Sequence, residues 1–325
     1  MSLDAQILAA LRGCPTGVLG ADLAQRLRVT PAVIWARIED LRRLGYEIAA
    51  TPHQGYRLVK APDTLHADDI LARLDGHQVV GRAIQVFERT ASTNDLIDRL
   101  GREGSQEGIA IFAEAQTRGR GRLGRSWESP PRLGLWFSVL LRPGWAPPRV
   151  TRLVVMAAVA VRQGVQAVTG LAPEIKWPND LQMRGLKIGG ILSEMSAELD
   201  RLRYVVLGIG LNVNQRYEDL PAELRGSATS LRLVSGGAWD RAELAVAILR
   251  ALDDGYARLC RGDFFGLAEE WEAACTTIGR EVTIRAGDRC LRGRAESLDE
   301  DGALLVRSEY GHLEPVTGGD VTVEG

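Results

Sequence analysis

Apolar positions recur at helical spacing three times near the start of the chain. Leu3–Leu11 reads as a short amphipathic helix, and Gly20–Leu27 as a second, with Leu23 and Leu27 four apart on one face. Thr30-Pro31 opens a third. Thr30 is a good N-cap, Pro31 suits the first helical position, and Val33, Ile34, Ile38 and Leu41 form the core stripe. Two short alternating runs, Tyr46-Glu47-Ile48 and Tyr56–Val59, then flank the turn His53-Gln54-Gly55. Three helices followed by a hairpin predict a winged helix-turn-helix over residues 1–60, a fold that docks its third helix in the major groove of DNA.

After the short linker Lys60-Ala61-Pro62-Asp63 the period changes. Strand-like runs at Ala83–Glu88, Gly108–Glu114, Gly134–Arg142, Glu174–Trp177, Leu186–Met195 and Tyr204–Asn212 are interspersed with helical runs at Thr93–Leu100, Pro148–Val168 and Arg241–Arg261. Several strands follow one another directly, which predicts a mixed α+β domain over 65–272 rather than a regular βαβ series. The tail alternates in short runs at Val282–Arg285, Ala303–Arg307 and Val321–Val323, broken by the turns Ala286-Gly287-Asp288 and Glu300-Asp301-Gly302. That pattern predicts a small C-terminal β-barrel over 276–325. The chain is therefore read as α+β in three parts.

Its 325 residues are 45% hydrophobic and 25% charged, which excludes a disordered protein. A net charge of −2 excludes nucleic-acid binding through bulk charge, so any such contact must be local. Residues 1–60 hold eight Lys/Arg against five Asp/Glu, a local +3. The third helix nevertheless offers Pro31, Ala32, Trp35 and Ala36 on its front, which have few donors for base edges. Arg37, Arg42, Arg43 and Arg57 look like phosphate contacts, and the candidate DNA set is Thr30, Pro31, Trp35, Arg37 and Arg57. The bland alternative is a three-helix module for protein contacts. The four cysteines form no CxxC pair and no zinc pattern, as expected of reduced thiols in the cytoplasm. The acidic start lacks the basic region of a signal peptide, and the most apolar run, Leu153–Val161, is nine residues between Arg152 and Arg162. It is too short to span a bilayer, so membrane and secretion readings are set aside.

The densest chemistry lies in Gln116-Thr117-Arg118-Gly119-Arg120-Gly121-Arg122-Leu123-Gly124-Arg125-Ser126-Trp127. Gly119-x-Gly121-x-x-Gly124 matches the dinucleotide fingerprint, but a helix must start at such a loop and here a strand follows. The P-loop pattern also fails, one residue off and without its lysine or helix. What survives is charge. Five arginines against Glu128 give +4 over residues 117–132, and the glycines between them let the backbone approach a ligand. Such a loop can hold a phosphate and a carboxylate by charge-assisted hydrogen bonds. A solvated basic loop or a nucleic-acid tether is the alternative.

Other segments stand out along the chain. Ser92-Thr93-Asn94 sits at a strand-to-helix junction, as a ligand-binding edge or a plain helix cap. Lys176-Trp177-Pro178-Asn179-Asp180 is a strand ending in a turn. In Leu186-Lys187-Ile188-Gly189-Gly190, simple alternation puts Lys187 on the face of Gly189, opposite Leu186 and Ile188. That leaves open space before the amine, although edge-strand lysines are common. Gly208-Ile209-Gly210-Leu211-Asn212-Val213-Asn214 ends a buried strand with small residues and an amide. Together STN, QTRGRGRLGRSW, KWPNDL, KIGGIL and GIGLNVN, in this order, resemble the biotin–protein ligases. The winged helix narrows the resemblance, which covers nearly the whole chain, to the bifunctional type that also represses the biotin operon.

The resemblance implies a biotin–protein ligase catalytic domain, an SH3-like barrel at the C-terminus and two half-reactions. Biotin and MgATP give biotinyl-5′-AMP, and a lysine of the biotin carboxyl carrier protein of acetyl-CoA carboxylase then takes the biotinyl group. By similarity, Ser92, Thr93, Asn94 and Gln116 would bind the biotin head, and Arg120-Gly121-Arg122 would close over its carboxylate and the adenylate phosphate. Lys187 would neutralise charge at the acyl phosphate; with Arg120 and Arg122 it makes up the implied catalytic set. Arg122, Arg125, Trp127, Asn179 and Asn212 would serve the nucleotide, and Asp180 the Mg²⁺. The resemblance also implies operator DNA as a partner and a homodimer when the adenylate is bound; no redox cofactor is implied. One departure is the tail: Gly319–Glu324 ends in glutamate where repressor-type relatives can carry an arginine. A biotin-sensing regulator without catalysis and a lipoate–protein ligase of the same fold remain the alternatives.

Overall fold

The computed structural model describes residues 1–323 except 75, 77, 78, 199, 200 and 288. The chain divides into two units, residues 1–76 with 240–246, and 77–239 with 247–325.

In the first unit, α1 (Leu3–Gly13) is capped by Ser2, whose Oγ accepts from the Ala5 amide at 3.1 Å. The second helix, α2 (Gly20–Leu27), ends on Arg28 in the left-handed region, φ 58°. Next, α3 (Pro31–Arg43) starts as its sequence demands, with Thr30 Oγ1 accepting from the Val33 amide at 3.4 Å. The three helices bury Ile7, Leu8, Leu11, Leu23, Ile34, Ile38 and Leu41 together, and β1 (Glu47–Thr51) pairs antiparallel with β2 (Gly55–Lys60) to form the wing. A further helix, α4 (Ala67–Arg73), has no clear period because it is only seven residues long. Its Asp69 is 3% exposed and held between Arg12 and Arg73, which makes the burial of the carboxylate tolerable.

The arginines of α3 each meet an acceptor within the fold. Arg42 donates to the Ile48 carbonyl at 2.6 and 3.0 Å and to Glu39, so it is committed to holding the wing strand. Arg43 pairs with Asp40 at 2.9 Å. Arg37 lies 3.7 Å from Asp4 and 3.6 Å from Asp40. The pairs with Glu39 and Asp40 are three residues apart on the helix and readable from spacing, whereas Asp4 and the Ile48 carbonyl are brought to it by folding.

The second unit is built on a seven-stranded sheet in the order β3-β4-β5-β9-β8-β7-β6. Its strands are β3 (Ala83–Thr90), β4 (Ile109–Gln116), β5 (Gly134–Leu141), β6 (Glu174–Lys176), β7 (Asp180–Met183), β8 (Leu186–Glu198) and β9 (Arg201–Asn212). Only β3 and β4 are parallel, joined through α5 (Thr93–Arg102). The interior strand β5 is buried throughout, which explains its nearly unbroken apolar run. The long helix α6 (Val150–Thr169) and α8 (Arg241–Cys260) approach closely at Gly164, where a Cβ would stand 2.8 Å from the Ile248 amide nitrogen. In chain order α7 (Leu231–Ser235) precedes α8, and α9 (Phe264–Ala274) follows it.

The tail folds into a five-stranded antiparallel sheet, β13-β12-β11-β10-β14, formed by β10 (Glu281–Ala286), β11 (Arg289–Leu298), β12 (Leu304–Ser308), β13 (Leu313–Val316) and β14 (Asp320–Val323). Val282, Ile284, Ala295, Leu304 and Val306 make its core. The turn residue Asp288 and the terminal Glu324 lie outside the described residues.

Candidate active site

One cleft of about 570 Å³ opens over the face of the large sheet, between the loop that joins β4 to β5, the start of α5, the β6–β7 turn and the first residues of β14. Ser92, Thr93, Asn94 and Gln116 line one part of it. Arg120, Gly121, Arg122, Arg125 and Trp127 enter from the loop. Asn179, Asp180, Lys187 and Asn212 come from the opposite strands.

The polar end is a tight network. Gln116 Oε1 accepts from the Thr93 amide at 2.8 Å, and its Nε2 donates to Ser129 Oγ at 2.9 Å. Ser138 donates to Asn94 Oδ1 at 2.6 Å and shares a 2.7 Å contact with Thr93 Oγ1. Each hydroxyl has one proton; Ser138 gives its own to Asn94, and Thr93 can give its proton to Ser138 or to Gln116 Oε1, 3.2 Å away. Asn94 Nδ2 donates to Glu194 at 2.7 Å. Ser92 occupies the N-cap of α5 but its side chain makes no cap bond, although Ser92 is only 3% exposed. The plain helix-cap reading of this motif therefore fails, and the hydroxyl is available to the cleft.

The loop is held at both ends and bare in the middle. Arg120 donates to Asp95 at 2.6 Å and to both oxygens of Glu194 at 3.2 Å. Burial acts to lower its pKa, but these hydrogen bonds outweigh it and hold the guanidinium above its ordinary value. Arg125 binds both carboxylate oxygens of Asp320 at 2.7 Å, fastening the loop to β14. Between the two posts a short turn at Arg122–Gly124 puts Leu123 in the left-handed region, φ 55°. Among the described residues Arg122 makes only one long hydrogen bond, 3.5 Å to Asn179 Oδ1. Burial pulls its guanidinium below the usual value, with Asp180 and Asp320 opposing the shift. A half-buried cation without a close anion is a prepared anion site.

On the strand side, Lys187 Nζ lies 2.6 Å from Asp180 Oδ1 and 5.4 Å from the Trp127 ring centre. Its neighbour is Gly190, not Gly189 as alternation predicts: a Cβ at Gly190 would stand 3.5 Å from Lys187 Cε, while Gly189 faces Leu181 and Leu211. The cause is a β-bulge. The register of β7 on β8 runs Leu181↔Gly189 and then Gln182↔Lys187, so Ile188 is an extra residue and the faces swap there. Beyond it Gly190 pairs with Gly210 on β9, and the Trp127 indole lies on this bare patch; a Cβ at Gly210 would come within 2.6 Å of the ring. Gly208 likewise makes room for Asn94, whose Oδ1 would meet a Cβ at 2.2 Å. Asn212 lines the cleft, but its amide is spent on the Thr229 carbonyl at 3.0 Å and on Gln215, also at 3.0 Å.

Sequence reading did not single out Asp95, Glu194, Ser129, Ser138 or Asp320 as site residues. Glu194 could have been found, since Gly190, Leu192 and Glu194 alternate on one strand. Nothing local marks Asp320, which lies 195 positions from Arg125.

The family model for the biotin/lipoate A/B protein ligases matches residues 86–212, one for an HTH domain matches 4–57, and one for the biotin protein ligase C-terminal domain matches 277–323. The bifunctional ligase/repressor BirA of Bacillus spizizenii is 37% identical over 294 residues, 90% of each chain. The chain belongs to the biotin–protein ligase family. Among other relatives, the BirA of Escherichia coli is 30% identical over 305 residues, covering 94% of this chain and 92% of its own. The biotin protein ligase of Aquifex aeolicus, solved in complex with biotin and ATP, superposes with a TM-score of 0.63 at 30% identity, covering 75% of this chain and 99% of that one. Among the described residues no helix of this ligase is long and apolar enough to cross a membrane.

Proposed function

We infer that this chain activates biotin with ATP and transfers it to a lysine of a biotin carboxyl carrier protein, and that it also represses transcription by binding operator DNA. The observation that carries the enzymatic half is the cleft itself. A rigid hydrogen-bonding end with a free hydroxyl on Ser92 faces an end that holds Arg122 and Lys187. Such a cleft suits a molecule with a polar, uncharged head and a carboxylate tail.

Ser92, Thr93, Asn94 and Gln116 bind the ureido head of biotin. Its carboxylate oxygen attacks the α-phosphorus of ATP, pyrophosphate departs, and biotinyl-5′-AMP remains. Arg122 holds the carboxylate and then the phosphate, and Lys187 neutralises the charge that grows on the phosphate oxygens. Arg120 and Arg125 act mainly as the posts that keep the loop over this product. Trp127 packs beside the adenine, with Asn179 and Asn212 shaping that wall. The carrier lysine then attacks the acyl carbon, an amide forms and AMP leaves. No protein nucleophile is required, because positioning and charge suffice.

Magnesium fits the donor set. Asp180 offers one carboxylate and the nucleotide the rest, the mixture of phosphate, water and few carboxylates that this ion takes. The described residues hold no cluster of three or more His, Cys, Asp or Glu that could bind an ion without the nucleotide. Bound magnesium would add positive charge at the phosphates.

The parts divide as a DNA-binding region over 1–60, a ligase domain over 65–272 and a C-terminal domain over 276–325. Thr30, Pro31, Trp35, Arg37 and Arg57 lie on the DNA side, and binding of the adenylate favours a homodimer that presents two winged helices to two half-sites. A carboxylase subunit and an operator as partners place the protein in the cytoplasm. Transfer of radiolabelled biotin to a carrier domain in the presence of MgATP tests the reading. Transfer of lipoate in preference to biotin, or biotin binding without transfer, overturns it.

A further inference from the structure

The exposed front of α3 is apolar where base-reading helices usually carry donors. Ala32, Val33, Trp35 and Ala36 are exposed, Trp35 to 59%. The hydrogen-bonding groups beside them are engaged or few. Thr30 Oγ1 accepts the cap bond from Val33, and Arg37 sits between Asp4 at 3.7 Å and Asp40 at 3.6 Å. That leaves two single donors, the Thr30 hydroxyl proton and the Trp35 indole N–H. No side chain on this face can make the two-pronged contacts that identify guanine or adenine while Arg37 keeps its carboxylates. One base feature needs no donor at all: the C5-methyl of thymine, which apolar side chains read by contact.

The surroundings say what the face meets. Arg26 and Arg28 at the end of α2, and Arg57 on β2, are exposed, and none has an ion-pair partner among the described residues. Free arginines on the preceding helix end and on the wing match the phosphate rows that flank a groove. We propose that α3 reads thymine methyl groups in the major groove, with Ala32, Trp35 and Ala36 as the reading surface and Arg26, Arg28 and Arg57 on the phosphates. This rests on the repressor half of the function proposed above and names the base chemistry it uses.

The test uses the full chain with biotin and ATP. Duplexes are selected from a random library, and the winners are remade with deoxyuridine in place of each thymine in turn, which removes a single methyl. Each contacted position should lose about fourfold in affinity, the worth of one buried methyl. Trp35→Ala should abolish the difference between thymine and uracil at its position and leave the salt dependence unchanged. Trp35→Phe, which keeps the ring without the N–H, should bind as the parent does. Arg57→Ala should weaken binding to every sequence and reduce the salt slope by about one. Selected duplexes that bind equally well with uracil throughout, or a Trp35→Phe variant that behaves as Trp35→Ala, would overturn the methyl reading and leave the repressor standing. If no duplex is enriched when both biotin and ATP are present, the repressor reading itself falls and this inference falls with it.

Discussion

Replacing Lys187 with alanine removes a positive charge from the place where adenylation builds negative charge. It also strands Asp180, whose carboxylate is 2.6 Å from the amine. A unit charge about 4 Å from a phosphate oxygen is worth roughly 4 kcal/mol at the effective dielectric of a protein surface. The lysine side chain is 35% exposed, so water screens part of that interaction. A loss of about 3 kcal/mol remains, which is on the order of 10²-fold in rate and agrees with the 10²–10³-fold typical of removing one electrostatic stabiliser. The biotin head is held elsewhere, by the network around Gln116, so biotin affinity should change by no more than about threefold. Pyrophosphate exchange, run alongside calorimetric titration of biotin, separates the two effects. Because Asp180 would hold the magnesium ion, Lys187→Ala combined with Asp180→Asn should adenylate more slowly than Lys187→Ala alone. A faster double variant would show that the stranded carboxylate repels phosphate and would take Asp180 off the metal ion. If Lys187→Ala binds biotin poorly yet adenylates at the normal rate once saturated, the role given to Lys187 is wrong.

The two posts and the bare centre of the loop should respond differently. Arg122→Ala should cost adenylation at least tenfold more than Arg125→Ala in the same exchange assay, since Arg125 spends itself on Asp320. Asp320→Asn breaks an exposed pair worth about 1 kcal/mol at most, so the rate should stay within about fivefold while trypsin cuts the ligand-free loop faster. Added biotin and ATP should slow cleavage between Arg120 and Arg125 in the parent protein; equal cleavage with and without them would refute closure. Gly208→Ala drives a methyl into the Asn94 amide and should weaken biotin binding about tenfold or more by calorimetry, with the fold intact by circular dichroism. Sedimentation should show mostly monomer without ligands and a shift to dimer with biotin and ATP, and operator binding should appear with that shift.

The helices of the first unit were legible because their caps and stripes are local: Thr30-Pro31 announces α3 and the structure begins the helix there, although Val33, read into its core stripe, is exposed. The longer strands that meet at the cleft, β4, β5, β8 and β9, were legible for the same reason. What escaped was pairing over distance. Arg42 and Arg43 look alike on paper, but the fold delivers the Ile48 carbonyl to one and leaves the other with Asp40 at the surface. The short elements α4 and β7 escaped too, since seven and four residues hold too little of any period to register. In the site, the arginine–glycine loop declared its charge, yet not that Arg122, in the cleft, would stay without an ion pair among the described residues while Arg120 and Arg125 found one. That depends on Asp95, Glu194 and Asp320, carboxylates on three different elements.

The bulge at Ile188 limits what length changes this strand can accept. Lys187 reaches the cleft only because one surplus residue inverts the facing of everything before it relative to everything after. Deleting Ile188 alone would set Lys187 and Gly190 two apart on a regular strand, both still facing the cleft, and the loss would be the fully buried Ile188 side chain. Inserting one residue between Lys187 and Gly190 with the bulge retained would instead turn Lys187 away from Gly190, Leu192 and Glu194. Loop segments elsewhere can be lengthened at small entropic cost. Here the chain counts in twos with one odd step, and an engineer grafting this segment onto another sheet must carry that odd step along.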